Sequence, residues 1–138
     1  MQDERRADLS KYRIQNAHES LEVAENCCLN AHYRDSINRS YYAAFYSVKA
    51  VLALEGKDFK RHKDVMAYFN QTYVAGNAIP RECGRKIAQL QQKREKSDYD
   101  DFYVASKEEA VQQLENAKAI IRAVETWLEK VNQADDSN

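Results

Sequence analysis

Glycine and proline are nearly missing from this chain, with three and one in 138 residues. A sheet protein needs such residues at most of its hairpins, so a fold of many short strands is excluded and long helices remain. Cysteine is scarce too. Cys27, Cys28 and Cys83 are odd in number and two are adjacent, which suits neither a disulfide framework nor a zinc knuckle. No apolar run approaches the ~18 residues of a membrane span. Residues 1–8 are polar and charged where a secretory leader needs an apolar segment, so the expected location is cytoplasmic, with no membrane partner. An excess of one charge is missing as well: 21 basic and 22 acidic side chains leave a formal charge of -1. No global field draws the protein to nucleic acid, and any such binding must be local. There is no Gly-rich phosphate loop, no Gly-x-Ser-x-Gly elbow, no metal-ligand spacing among His18, His32 and His62, and no basic helix interleaved with aromatics for DNA. No cofactor and no metal are expected.

What is present is a balance of 43% hydrophobic and 31% charged residues, that of one globular domain over residues 1–138. The expected ordered core spans about 8–133, with a polar tail at 134–138. Ile14, Ala17, Leu21, Ala24 and Cys28 alternate three and four apart, which predicts a helix over 8–30 capped by Asp8. A second helix is predicted over 35–55, with Ile37, Tyr41, Ala44, Phe45, Val48 and Leu52 on one stripe and Gly56 as its stop. A third spans 62–74, with Met66, Phe69 and Tyr73 inward. A fourth has Pro80 in its first turn and Cys83, Ile87 and Leu90 on its inner stripe, and runs to about residue 96. After a linker at 97–105, Ser106 and Glu109 form a capping box. A fifth helix follows through residue 133, with Ala110, Leu114, Ala117, Ile121, Val124, Leu128 and Val131 on one seam. The fold class is all-α, an up-and-down bundle of about five helices.

The back of the second helix carries Arg39, Tyr42, Ala43, Tyr46, Ala50 and Ala53, where a solvated face would carry Lys, Glu and Gln. Two packed faces favour a homodimer seam over the alanines. The alternative is that this is simply the most buried helix of a single chain.

Arg94 continues the stripe of Cys83, Ile87 and Leu90 at a position where a hydrophobe is expected. Spacing alone favours an ion pair with Asp98, one turn on. The sharper reading aims its planar fork at a phosphate. Lys60, Arg61, His62 and Lys63 gather at the start of the third helix, where free backbone N–H groups could join them around an anion. Asp98, Asp100 and Asp101 suggest a calcium loop, but Tyr103 stands where the sharp turn needs glycine. Arg13 and His18 show an Arg-x4-His spacing that ten arginines and three histidines produce by chance.

Residues 34–46 read RDSINRSYYAAFY, and this string resembles the second helix of small stand-alone HEPN proteins. The resemblance extends to Lys60, Arg61, His62 and Lys63, to Arg94 followed by Ser97, Asp98, Tyr99 and Asp100, and to Glu108, Glu109 and Ala110. It covers about residues 10–131. It implies a helical bundle, dimerised across a cleft, encoded beside a minimal nucleotidyltransferase in a toxin–antitoxin or defence pair. Active members of the superfamily are metal-independent ribonucleases that use an Arg followed by a His. Here Arg94 stands at the arginine position, but no histidine follows it. In some pairs the nucleotidyltransferase adenylylates a tyrosine beside that motif, and Tyr99 is the nearest one.

The resulting expectation is a HEPN module, leaning non-enzymatic, that binds a nucleotide or a minimal nucleotidyltransferase. Arg39, Tyr42, Arg94, Asp98 and Tyr99 line its binding site, and Arg94 with His62 is its catalytic pair if it is an enzyme. The alternatives are a metal-independent ribonuclease toxin acting on RNA through a non-standard site, and a purely structural helical interaction protein.

Overall fold

A computed structural model describes residues 2–136. Five α-helices and no strands occur among the described residues: α1 (Gln2–Leu29), α2 (Tyr33–Glu55), α3 (His62–Phe69), α4 (Glu82–Tyr99) and α5 (Lys107–Asp136). The expected all-α bundle is therefore observed. α1 begins well before Asp8, so Asp8 lies inside the helix and is not its cap. α4 continues to Tyr99 and α5 to Asp136, past the expected ends at 96 and 133. Residues 137 and 138 of the expected polar tail lie outside the described residues.

Short polar turns set the topology. Residues 30–32 reverse the chain between α1 and α2, with Ala31 at φ 63° and His32 N–H bonded to Cys27 O at 2.8 Å. α2 ends at Gly56, whose φ of 70° is the left-handed conformation that glycine adopts without strain. Its N–H reaches Ala53 O at 3.0 Å and that of Lys57 reaches Leu52 O at 3.1 Å, which closes the last turn. α3 was expected to stay regular to Val74, but residues Asn70–Val74 widen into a π-helical segment. Tyr73 and Val74 of this segment are buried in the core together with Phe69. The Ser106 and Glu109 capping box forms as read: Glu109 N–H bonds Ser106 Oγ at 3.1 Å, and Ser106 N–H faces Glu109 Oε1 at 3.4 Å.

The core is organised around α2, which packs against α1, α3, α4 and α5. Its inner stripe meets Ala17 of α1, Ile87 and Leu90 of α4, and Ala117, Ile121 and Val124 of α5. Ile120 is also fully buried, although it lies off the α5 seam read from sequence. Small residues let α1 lie close against α2. Ser10, Ala17, Ser20 and Ala24 are buried on α1, and Ser36 of α2 donates to Ala24 O at 2.8 Å. Ala43, Ala50 and Ala53 on the back of α2 are at most 2% exposed within the single chain. The alanines that suggested a dimer seam are thus covered by the chain's own helices. This leaves Arg39, Tyr42 and Tyr46 as the parts of that back face that reach the surface beside Lys49.

Candidate functional site

Three elements converge on the exposed edge of that face. α2 contributes Asn38, Arg39, Tyr41, Tyr42 and Phe45, the first residue of α3 contributes His62, and the last turns of α4 contribute Arg94 and Asp98. Arg94 is where its stripe places it, one position beyond Leu90 on the inward face. A hydrophobe there would extend the core; the guanidinium instead rests on two rings. Its Cζ lies 4.8 Å from the Tyr41 ring centre and 5.4 Å from that of Tyr42. Nη2 donates to Tyr42 Oη at 3.3 Å.

Arg94 Nε lies 3.2 Å from Asp98 Oδ2, so the ion pair read from spacing is present. Nε is nevertheless buried and not aligned with any acceptor as a hydrogen bond. Asp98 is shared. Its Oδ1 accepts from Asn38 Nδ2 at 3.2 Å, and Asn38 Oδ1 accepts from Arg39 Nη2 at 3.1 Å. Arg39 Cζ lies 5.0 Å from the centre of Tyr42. One tyrosine ring therefore has two guanidinium groups against it, and one carboxylate is tied to both through direct and relayed contacts. Burial disfavours the charge on Arg94, but Tyr42, Tyr41, Asp98 and Tyr99 outweigh it and raise its pKa. Arg94 stays a cation.

His62 turns inward onto the same aromatic group. Its ring stacks on Phe45 with centres 4.0 Å apart, and meets Tyr42 edge-on at 5.6 Å. Nδ1 lies 3.5 Å from Tyr41 Oη. Burial lowers the imidazole pKa below its ordinary 6.5, and the positive charges of Arg94 and Lys49 lower it further. It is neutral near pH 7 and able to accept a proton. Burial pushes the Tyr41 phenol up to about 12, so it stays protonated as a hydrogen-bond donor.

The structure thus brings Arg39, Tyr42, His62, Arg94 and Asp98 together from three helices. Tyr99 stands at the rim, 78% exposed at the end of α4, near enough that its phenol influences Arg94. Lys60, Arg61 and Lys63 stay exposed and do not join the cluster, so of that basic run only His62 contributes. Arg13 and His18 are engaged elsewhere, Arg13 with Lys49 O at 2.9 Å and His18 with Glu125 at 3.1 Å. Sequence reasoning missed Tyr41, Phe45 and Asn38. Tyr41 and Phe45 sat on the core stripe, and a phenol that needs a partner was the one signal available for Tyr41.

Among the described residues no three His, Cys, Asp or Glu side chains converge as metal ligands, and no helix is long and apolar enough to cross a membrane. The cluster's chemistry is that of fixed cations, a neutral imidazole and aromatic faces: anion binding, ring stacking and proton acceptance.

Residues 10–127 match the sequence family described as HEPN domain. A UPF0332 protein of Thermotoga maritima is 28% identical over 124 residues, covering 90% of this chain and 94% of that protein. Two Methanocaldococcus jannaschii proteins that bear the word toxin in their names are similar as well. One is 30% identical over 115 residues, covering 83% of this chain and 78% of its own length. The other is 31% identical over 121 residues, covering 88% and 84%.

Proposed function

The chain belongs to the HEPN domain family, and from that premise we propose that it is the helical, toxin-like half of a toxin–antitoxin or defence pair, with Arg94 as the phosphate-binding residue of its site. The observation that carries this reading is the guanidinium of Arg94, laid across Tyr41 and Tyr42 where a hydrophobe would serve the core better. A structural ion pair needs only Asp98. A second guanidinium on Tyr42 and a neutral imidazole beside it go beyond what that pair requires. In this reading Arg94 and Arg39 contact the phosphate, Tyr42 stacks on a base or sugar, and Asp98 orients Arg94.

The partner in this reading is a minimal nucleotidyltransferase. Tyr99, exposed beside Arg94, is the hydroxyl to which it would transfer an adenylyl group from ATP, the phenol losing its proton and pyrophosphate leaving. The assembly proposed is a homodimer. With the alanines of α2 covered, the face offered to a second copy is the edge that carries Arg39, Tyr42 and Asp98.

A second reading is favoured by one specific observation: His62 and Arg94, from different segments, touch the same two tyrosines. A neutral imidazole can take the proton of a ribose 2′-hydroxyl as its oxygen attacks phosphorus, a guanidinium stabilises the phosphorane, and the proton passes to the departing 5′-oxygen, which makes a metal-independent ribonuclease. Incubation of the purified chain with a mixed RNA pool in excess chelator separates the two. Cleavage that disappears in both Arg94→Ala and His62→Ala makes the protein a ribonuclease. Absence of cleavage, with nucleoside monophosphate binding lost in a folded Arg94→Ala variant, makes it a binding module.

A further inference from the structure

A second concentration of positive charge lies at the other end of α2. There the first turns of α1 run beside the end of α2, and Arg5, Arg6, Arg13 and Lys57 surround a cavity of about 310 Å³ with Leu9, Ala53, Gly56 and Asp58. The plain reading is that these cations cap the last carbonyls of α2. It holds in part for Arg6, which packs directly over Gly56; Arg13 donates instead to Lys49 O at 2.9 Å, a carbonyl inside the helix. It leaves Arg5 and Lys57. Among the described residues no carboxylate lies within ion-pair distance of Arg5, Arg6 or Lys57. Asp58, the one acid in the lining, faces Lys49 Nζ at 3.7 Å.

Lys49 joins this cavity to the Arg94 cluster. Its ammonium lies 5.7 Å from the centre of Phe45, the ring on which His62 stacks, and its carbonyl holds Arg13. Tyr42, Lys49 and Gly56 recur every seven residues. They therefore share one face of α2 to within ~20° per step, at intervals of about 10 Å. Tyr46, half-buried and 6.2 Å from Tyr42 between ring centres, adds an aromatic surface between the first two. Cations and half-buried tyrosine rings thus follow one another along roughly 20 Å of helix. A mononucleotide is too short to use both ends. A single-stranded polynucleotide, with a phosphate at every unit and bases that stack on aromatic rings, fits the whole face.

We propose that the cavity of Arg5, Arg6, Arg13 and Lys57 is a second phosphate subsite, for a single-stranded nucleic acid laid along α2 from the Arg94 cluster. This rests on the reading that Arg94 holds a phosphate. The test is fluorescence anisotropy with a labelled decauridylate from 50 to 300 mM salt, alongside calorimetric titration with uridine monophosphate. The proteins are the wild type, Arg5→Gln/Lys57→Gln, Arg5→Gln/Arg6→Gln and Arg94→Ala, each checked for its fold by circular dichroism. The pair without Arg6 avoids disturbing the contact with Gly56.

Each double variant should bind decauridylate about tenfold or more weakly. The slope of log affinity against log salt should shrink by about 1.4, the loss of two contacts on a single strand. Binding of the monophosphate should be unchanged. Decauridylate affinity and slope equal to wild type in both double variants would overturn the subsite. Failure of the wild type to bind decauridylate while it still binds the monophosphate would overturn it too, yet leave the Arg94 reading standing. Decauridylate binding that survives Arg94→Ala but is lost in the double variants would overturn the Arg94 reading and the path along α2 that starts from it.

Discussion

The guanidinium of Arg94 meets Tyr41, Tyr42 and Asp98, and only the last is a charge. An arginine held in this way keeps part of its hydrogen-bonding fork for a ligand, because aromatic faces hold the cation without using its N–H groups. Its charge also acts on His62. The imidazole should titrate below 6.5 in the folded protein, as followed by the ring proton shifts. In Arg94→Gln the midpoint should move up toward 6.5, because one of the two cations that lower it is gone. An unchanged midpoint would place the two residues in separate environments. Arg94 was legible in the sequence because a cation interrupts a row of hydrophobes. Tyr41 was not, since a tyrosine at a core spacing looks the same whether its hydroxyl serves packing or a site. The meeting of His62 with Arg94 was also hidden, because residues 32 apart in sequence declare no distance.

Among the elements, α5 and its cap were the most readable. The Ser106 and Glu109 box formed, but the sequence did not reveal that Lys93 and Tyr103 converge on the same carboxylate, with Lys93 Nζ 2.9 Å away. Hydrogen bonds from Tyr103, Lys93 and Ser106 hold Glu109 down to about 2. A carboxyl with a depressed folded-state pKa contributes stability that is complete above its unfolded value of about 4.5 and is lost as pH falls toward 2. Urea midpoints of Glu109→Gln should therefore lie below wild type above pH 4.5 and converge with it near pH 2. A constant offset across that window would show that ionisation is not the source. The π-helical segment after α3 was illegible for a different reason. Met66, Phe69, Tyr73 and Val74 all fit a regular α-helical stripe, so nothing in the pattern marks the wider turn.

For the molecule as a whole, a helix packed on both faces has two solutions, a partner chain or its own neighbours. The single chain supplies the second, since α1, α3, α4 and α5 together enclose α2. Composition could not decide this, because alanines serve a close helix pair equally well within and between chains. The core that results should be sensitive at its centre: Ile87→Ala, at a fully buried position of α4, should cost about 2–5 kcal/mol in equilibrium unfolding. A loss under 1 kcal/mol would mean that α4 contributes little to the core. The same enclosure leaves the Arg94 cluster at an edge formed by α2, α3 and α4, where a ligand can reach it without the fold opening. Thermal melting of the wild type and Arg94→Ala with increasing nucleoside monophosphate tests that role most directly. Phosphate binding at Arg94 predicts that both proteins fold, that the wild-type midpoint rises with ligand as a linked equilibrium requires, and that the variant's midpoint stays flat. A variant that fails to fold, or one whose midpoint rises with ligand as the wild type's does, would make Arg94 a structural ion pair with Asp98 and nothing more.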